Sequence, residues 1–157
     1  MKKALILLGC PELPIQAPMA VYMVWKLGGI GYNVTIVGTP SAIRLLDVSD
    51  PEGFYIKNRL NVDSCIEKLR EGSFDLLIGF VHNDAAASYF VTFCHIINTL
   101  SISIITGTDK IALEVFKKEI SKSTDAKIIL ERAYHNPTPL KVKFDKTIKK
   151  LEESDEF

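Results

Sequence analysis

The chain has 157 residues, 47% hydrophobic and 24% charged, and its 19 basic and 19 acidic side chains cancel to a formal net charge of zero, with a pI near 6.8. That is the size and composition of one ordinary globular domain, long enough to bury roughly 68–70% of its unfolded surface. A neutral chain lacks the long-range positive field that nucleic-acid binding needs and offers little to an anionic membrane, so neither partner is expected. Cys10, Cys65 and Cys94 lie far apart and include no CxxC pair. An odd, sparse set argues against a disulfide framework and for a reducing, cytoplasmic setting. No apolar run reaches the roughly 18–20 residues of a membrane helix.

Met1-Lys2-Lys3 followed by Leu7-Leu8-Gly9-Cys10 imitates a lipoprotein signal, but the apolar stretch from Ala4 to Leu8 is only five residues. A signal-peptide core needs roughly 7–15. Bounded by Gly9 and Pro11, the run reads instead as a strand buried on both faces. A proline-studded loop follows, then a helix from Ala17 to about Leu27, ended by Gly28-Gly29-Ile30-Gly31. Asn33 to Val37 is the second strand. Thr39 caps a short helix with Pro40 at its first position, ending near Leu46. Asp47 to Leu60 reads as one long irregular connection, with a turn at Asp50-Pro51-Glu52-Gly53; connections of that length are usually functional or poorly ordered. A helix from Val62 to Glu71 precedes the third strand, Phe74 to Phe80. Asp84 begins a helix to about Thr99, Ile102 to Thr106 is the fourth strand, Asp109 begins a helix to about Lys122, and Lys127 to Leu130 is the fifth strand.

This alternation predicts βαβ units, a mainly parallel five-stranded sheet and a three-layer α/β/α sandwich. A flavodoxin-like order, 2-1-3-4-5, is preferred over a true dinucleotide fold, because five strands are counted. Residues 1–157 are read as one Rossmann-like domain, in which 135–157 form a C-terminal arm and helix. Leu140, Val142 and Phe144 alternate with Lys141 and Lys143, as in a half-exposed edge strand or arm. Such an arm could cover a sheet edge or pair with a second subunit in a homodimer. The lysines beyond it are answered by Glu152, Glu153, Asp155 and Glu156, which marks a solvated terminal segment.

Ligands of open α/β sheets gather beyond the carboxyl ends of the strands, at the point where the strand order reverses. Three loops should meet there: Gly9 to Gln16, Val81 to Asp84, and Gly107 to Asp109. Cys10 and His82 are the candidate catalytic pair, a thiol and a base that could serve it. Gly9, Gln16, Asn83, Asp84, Gly107 and Thr108 are the candidate ligand-binding residues, and Glu12 could join from the proline loop. Asn83 and Asp84 also suit helix capping, and Cys65 and Cys94 read as core residues. No His or Cys pair has zinc-ligand spacing, so no metal is expected. Gly28-Gly29-Ile30-Gly31 precedes a strand, whereas a dinucleotide fingerprint follows one, and the second strand ends without a ribose-binding acid; a nicotinamide cofactor is not expected. The Asp-x-His-x-x-Gly pattern of corrinoid-binding domains is absent.

Leu7-Leu8-Gly9-Cys10-Pro11-Glu12-Leu13-Pro14 with Phe80-Val81-His82-Asn83-Asp84-Ala85-Ala86 resembles a small family of uncharacterised archaeal proteins found chiefly in methanogens. The resemblance runs through the whole chain. It implies a stand-alone cytoplasmic α/β/α protein tied to methanogen metabolism and carries over no catalytic residue. At the level of fold the chain is also similar to the DsrE-type sulfur-relay proteins, whose functional cysteine has no mapped counterpart here. The leading expectation is a domain that binds a small polar or anionic metabolite at the carboxyl edge of the sheet. The alternatives are a cysteine-dependent enzyme or sulfur carrier using Cys10 with His82, and a non-catalytic subunit of a larger assembly.

Overall fold

The computed structural model describes residues 1–155; Glu156, last of the acids expected to answer the C-terminal lysines, lies outside them. Six strands form one sheet: β1 (Lys2–Leu7), β2 (Tyr32–Gly38), β3 (Asn58–Asn61), β4 (Leu76–Val81), β5 (Leu100–Gly107) and β6 (Lys127–Arg132). Their order is β3-β2-β1-β4-β5-β6, and every pair is parallel. The helices are α1 (Gln16–Gly29), α2 (Pro40–Ser49), α3 (Val62–Lys68), α4 (Asp84–Ile97), α5 (Lys110–Ser123) and α6 (Thr138–Glu153).

Alternation along the strands divides the core between the two faces of the sheet. Ala4, Ile6, Ile78, Phe80, Ile102 and Ile104 pack with α1, α2 and α6 through residues such as Met23, Leu46 and Phe144. Leu5, Leu7, Leu77, Val81 and Ile105 pack with α3, α4 and α5 through Cys65, Phe90, Phe93 and Phe116. Both faces are covered, which is why these strands read as continuous apolar runs.

Two sequence expectations are corrected. The sheet has six strands, because the connection expected to be irregular contains β3 at the edge. The flavodoxin-like order 2-1-3-4-5 is therefore replaced by the 3-2-1-4-5-6 order of dinucleotide folds, within which the five expected strands keep their relative order as β2-β1-β4-β5-β6. What organises the approach to β3 is Asp50, whose buried carboxylate accepts the backbone N–H groups of Phe54, Tyr55 and Ile56 at 2.9, 3.0 and 2.8 Å. Those bonds, Ile56 foremost, hold the carboxyl below its ordinary range against the cost of burying it. Arg59 donates to the Asp50 carbonyl at 3.1 Å and faces Asp47 at 3.3 Å, which ties β3 back to the turn.

The second correction concerns the C-terminal arm. Leu140 to Phe144 is not an extended segment but the start of α6. Leu140, Phe144, Ile148 and Leu151 are buried at helical spacing on the α1 side of the sheet, while Val142 faces outward. Pro139 fits the first turn, where no N–H is needed. Among the described residues these positions therefore form part of a packed helix, not an extended arm.

Gly79, in the middle of β4, shapes the other face. A Cβ at this position would be driven into the Phe90 ring, overlapping Cδ2 and lying 2.9 Å from Cε2. Only glycine lets the α4 aromatic settle directly on the strand. That contact places α4, and with it the loop carrying His82 and Asn83.

Candidate functional site

Strand order reverses between β1 and β4, so the loops that follow them flank the switch point. After β1, the Leu8 N–H still donates to the Val37 carbonyl at 2.7 Å, and the chain then turns away at Gly9. The Glu12 N–H closes a tight turn onto the Cys10 carbonyl at 2.8 Å. Ile15 donates to the Tyr134 carbonyl at 3.1 Å, fastening the end of the loop to the segment before α6. Cys10 is left exposed on the outside of this turn.

His82 lies underneath. Its side chain is 2% exposed. Gly9 is seated against the ring so closely that a Cβ there would stand 3.0 Å from His82 Cε1 and 3.3 Å from the Ala86 methyl. Nδ1 lies 3.0 Å from Gln16 Nε2, and Nε2 lies 3.2 Å from Asn83 Nδ2 and 3.7 Å from Glu12 Oε2. Burial pushes the imidazole below its ordinary pKa; the Glu12 carboxylate and the Cys10 carbonyl act in the opposite direction. Asn83 does two things at once. Its Oδ1 accepts the Ala86 N–H at 2.8 Å as the N-cap of α4, and its Nδ2 donates to Glu12 Oε1 at 3.3 Å.

Beside this network a cleft of about 90 Å³ opens between the β1–α1 loop, the cap residue of α2 and the starts of α3 and α4. Leu8, Phe80, Val62 and Tyr89 line it with apolar surface, and Cys10, Thr39 and Asn83 supply its polar atoms. No lining side chain carries a charge. Acids adjoin the lining: Asp63 lies 3.4 Å from the Tyr89 hydroxyl, Glu12 accepts from Asn83, and Asp84 stands between Asn83 and Ala85 in the chain.

Of the residues singled out from the sequence, Gly9, Cys10, Gln16, His82 and Asn83 come together here. Cys10 reaches His82 through its carbonyl, while the ring nitrogens face Gln16, Asn83 and Glu12. Asp84 is exposed in the first turn of α4. Gly107 and Thr108 are not in the cleft. They border a separate groove of about 350 Å³ with Arg132, Tyr134 and His135. Asp109 caps α5 itself, its carboxylate accepting from the Ile111 N–H at 2.9 Å. Thr39, Val62, Phe80 and Tyr89 were not anticipated as lining residues. Thr39 carried a signal, since a cap following β2 must stand at the same edge as Cys10.

The other cysteines belong to the structure. Burial raises the Cys65 thiol and pushes Cys94 up to about 11, although the Ser101 hydroxyl lowers it in part. Cys94 and His95 border an open polar groove of about 640 Å³ at the opposite, amino edge of the sheet. It is larger, but it separates two surface loops and lies away from the switch point. Among the described residues no group of three His, Cys, Asp or Glu could hold a metal, and no helix is long and apolar enough to cross a membrane.

A parallel sheet in the order 3-2-1-4-5-6, helices on both faces and a cleft at the switch point define a doubly wound α/β protein of Rossmann type. Within that class the chain belongs to the family described as Domain of unknown function (DUF1890), which it matches over residues 5–147. It is 32% identical over 142 residues to the uncharacterized protein MJ0452 of Methanocaldococcus jannaschii, covering 89% of this chain and 93% of that one. Among solved structures, MT0777 superposes with a TM-score of 0.93 at 47% identity, covering 95% of this chain and 98% of that one. The cypemycin decarboxylase CypD superposes at 0.58 with 12% identity, covering 88% of each chain. That last likeness is one of fold alone.

Proposed function

We propose that the protein binds a small molecule at the carboxyl edge of its sheet, in the cleft beside Cys10. The observation that carries this reading is an uncharged, largely apolar recess at the switch point whose lining includes Cys10, Thr39 and Asn83. A few convergent polar groups around an apolar floor are what ligand sites of this fold class present. At about 90 Å³ the recess is smaller than the roughly 300–1,000 Å³ of a drug-sized pocket, so it seats one apolar group of the ligand. The remainder lies across the mouth, within reach of Cys10, Thr39 and Asn83. The sequence suggested a polar or anionic metabolite. Neighbouring Glu12 and Asp63, with no basic side chain lining the cleft, favour neutral polar groups over an anion.

A fragment screen read by amide chemical shifts tests this. Hits should move the resonances of Leu8, Gly9, Cys10, Thr39 and Tyr89 together. Shifts confined to the amino-edge groove around Cys94 and Asp125 would overturn the assignment.

A second reading rests on the exposure of Cys10: thiol chemistry at the mouth of the same cleft, as a nucleophile or sulfur carrier. In it His82 holds the loop through the Cys10 carbonyl. Alkylation of Cys10 measured across pH decides the matter. A profile governed by a pKa well below ~8.5 supports a poised thiolate, and an ordinary profile removes this reading.

A further inference from the structure

Both nitrogens of His82 face amide nitrogens, Gln16 Nε2 at 3.0 Å and Asn83 Nδ2 at 3.2 Å. A neutral imidazole has one donor and one acceptor, so the two amide nitrogens cannot both donate to it; the ring N–H goes to the Cys10 carbonyl or to an amide that turns its oxygen inward. Asn83 cannot turn, because its Oδ1 is held at 2.8 Å by the Ala86 N–H that it caps. Gln16 can. It is buried, and its Oε1 has no hydrogen-bond partner, so a half-turn of the amide exchanges one unpaired atom for another while placing Oε1 on the ring. The neutral ring then carries its proton on Nδ1, donated to Gln16 or to the Cys10 carbonyl, and its Nε2 lone pair accepts from Asn83.

Nε2 is thus the nitrogen that takes up a second proton. Glu12 Oε2 waits 3.7 Å from it, just beyond hydrogen-bond distance. Once protonated, Nε2 becomes a donor. It attracts the carboxylate and repels the Asn83 Nδ2 that it previously accepted from. Among the described residues the charge acting on the ring is that of Glu12; the Cys10 carbonyl from the loop, Gln16 from α1 and the Ala86 methyl beside Gly9 face it without charge.

We infer that Gln16, His82, Asn83 and Glu12 form a proton-set latch at the mouth of the cleft, in which protonation of Nε2 draws Glu12 onto the ring and displaces the Asn83 amide that lines the cleft. This rests on the reading of the cleft as a ligand site and adds its regulation: binding becomes sensitive to mild acid through one buried histidine.

The test is two-bond nitrogen–proton NMR of the imidazole in the full chain carrying His95→Asn and His135→Asn, which leaves His82 as the one ring observed. Near neutral pH, Nδ1 should show the protonated and Nε2 the unprotonated signature, with both protonated after acidification. The amide signals of Asn83 and Ala86 should move with the same midpoint. Glu12→Gln, which keeps the shape and removes the charge, should lower the proton affinity of His82 several-fold. An Nε2–H tautomer at neutral pH overturns the inference, and so does a midpoint unchanged by Glu12→Gln or unmatched at Asn83. No ligand enters this experiment, so its failure leaves the binding reading intact. Failure of the fragment screen, conversely, leaves the latch standing as a feature of the loop.

Discussion

Replacing Gly79 with alanine adds one methyl group at the point where the account of the fold is most exposed. The new Cβ would overlap Phe90 Cδ2 and stand 2.9 Å from Cε2 and 3.3 Å from Cγ, where carbon atoms prefer about 3.5–4.0 Å. The ring cannot swing away, since Phe90 is fully buried among Phe93, Leu77 and Val81. Overpacking of this kind costs ~1–3 kcal/mol, and a ring with nowhere to go belongs at the upper end. Alanine regains ~0.5–1 kcal/mol over glycine through the unfolded chain. The net loss should be about 2 kcal/mol, read as a lower urea midpoint at unchanged slope or a fall in Tm of about 4–8 °C. Phe90→Ala alone should cost ~3–5 kcal/mol. In that background Gly79→Ala should become neutral or stabilising, because the clash has gone. Equal cost in both backgrounds would refute the claim that Phe90 sits on Gly79 and sets the position of α4.

Folding stability should fall as pH drops below about 6.5, because burial holds His82 below its ordinary pKa and the unfolded chain binds the extra proton. The contribution is complete above the unfolded pKa and is lost through the window between the two values. His82→Gln should flatten that part of the denaturation profile, and an unaltered profile would contradict the burial argument. Among the three thiols, exposed Cys10 should react first with a maleimide in the native protein, half-buried Cys94 more slowly because burial raises its thiol, and buried Cys65 only on unfolding. Mass spectrometry after a brief pulse checks the order; labelling of Cys94 as fast as Cys10 would contradict the effect assigned to burial. Phe144→Ala should destabilise by ~3–5 kcal/mol, as a buried helical residue must, whereas Val142→Ala, on the exposed side, should stay within about 0.5 kcal/mol. Similar effects at both would revive an extended arm.

Five strands were legible because each is an apolar run bounded by turn residues, the signature of a strand covered on both faces. Asn58-Arg59-Leu60-Asn61 was not. A four-residue edge strand with two asparagines has no apolar run, and it is placed by the Asp50 turn rather than by its own side chains. At the other end, Lys141 and Lys143 make a period of two out of Leu140, Val142 and Phe144. The longer series Leu140, Phe144, Ile148 and Leu151 carries the helical period that prevails, because it buries four large side chains together. In the site, the meeting of the loops after the first and third predicted strands followed from parallel topology. The part played by Gln16 did not. Its side chain runs under the loop to His82, and only three-dimensional packing brings residues 66 apart into contact. Gly107 and Thr108 were drawn in by their place after a strand, yet β5 lies one strand beyond the switch point and opens onto a different groove.

Filling the cleft tests the central claim most directly. Ala85 lines it but is exposed, so Ala85→Phe should occupy the recess while leaving the core untouched. Titrated against fragment hits from the wild-type screen, the variant should keep its native amide spectrum and bind at least tenfold more weakly. Undiminished affinity in a natively folded Ala85→Phe protein would place the ligand elsewhere and contradict the account.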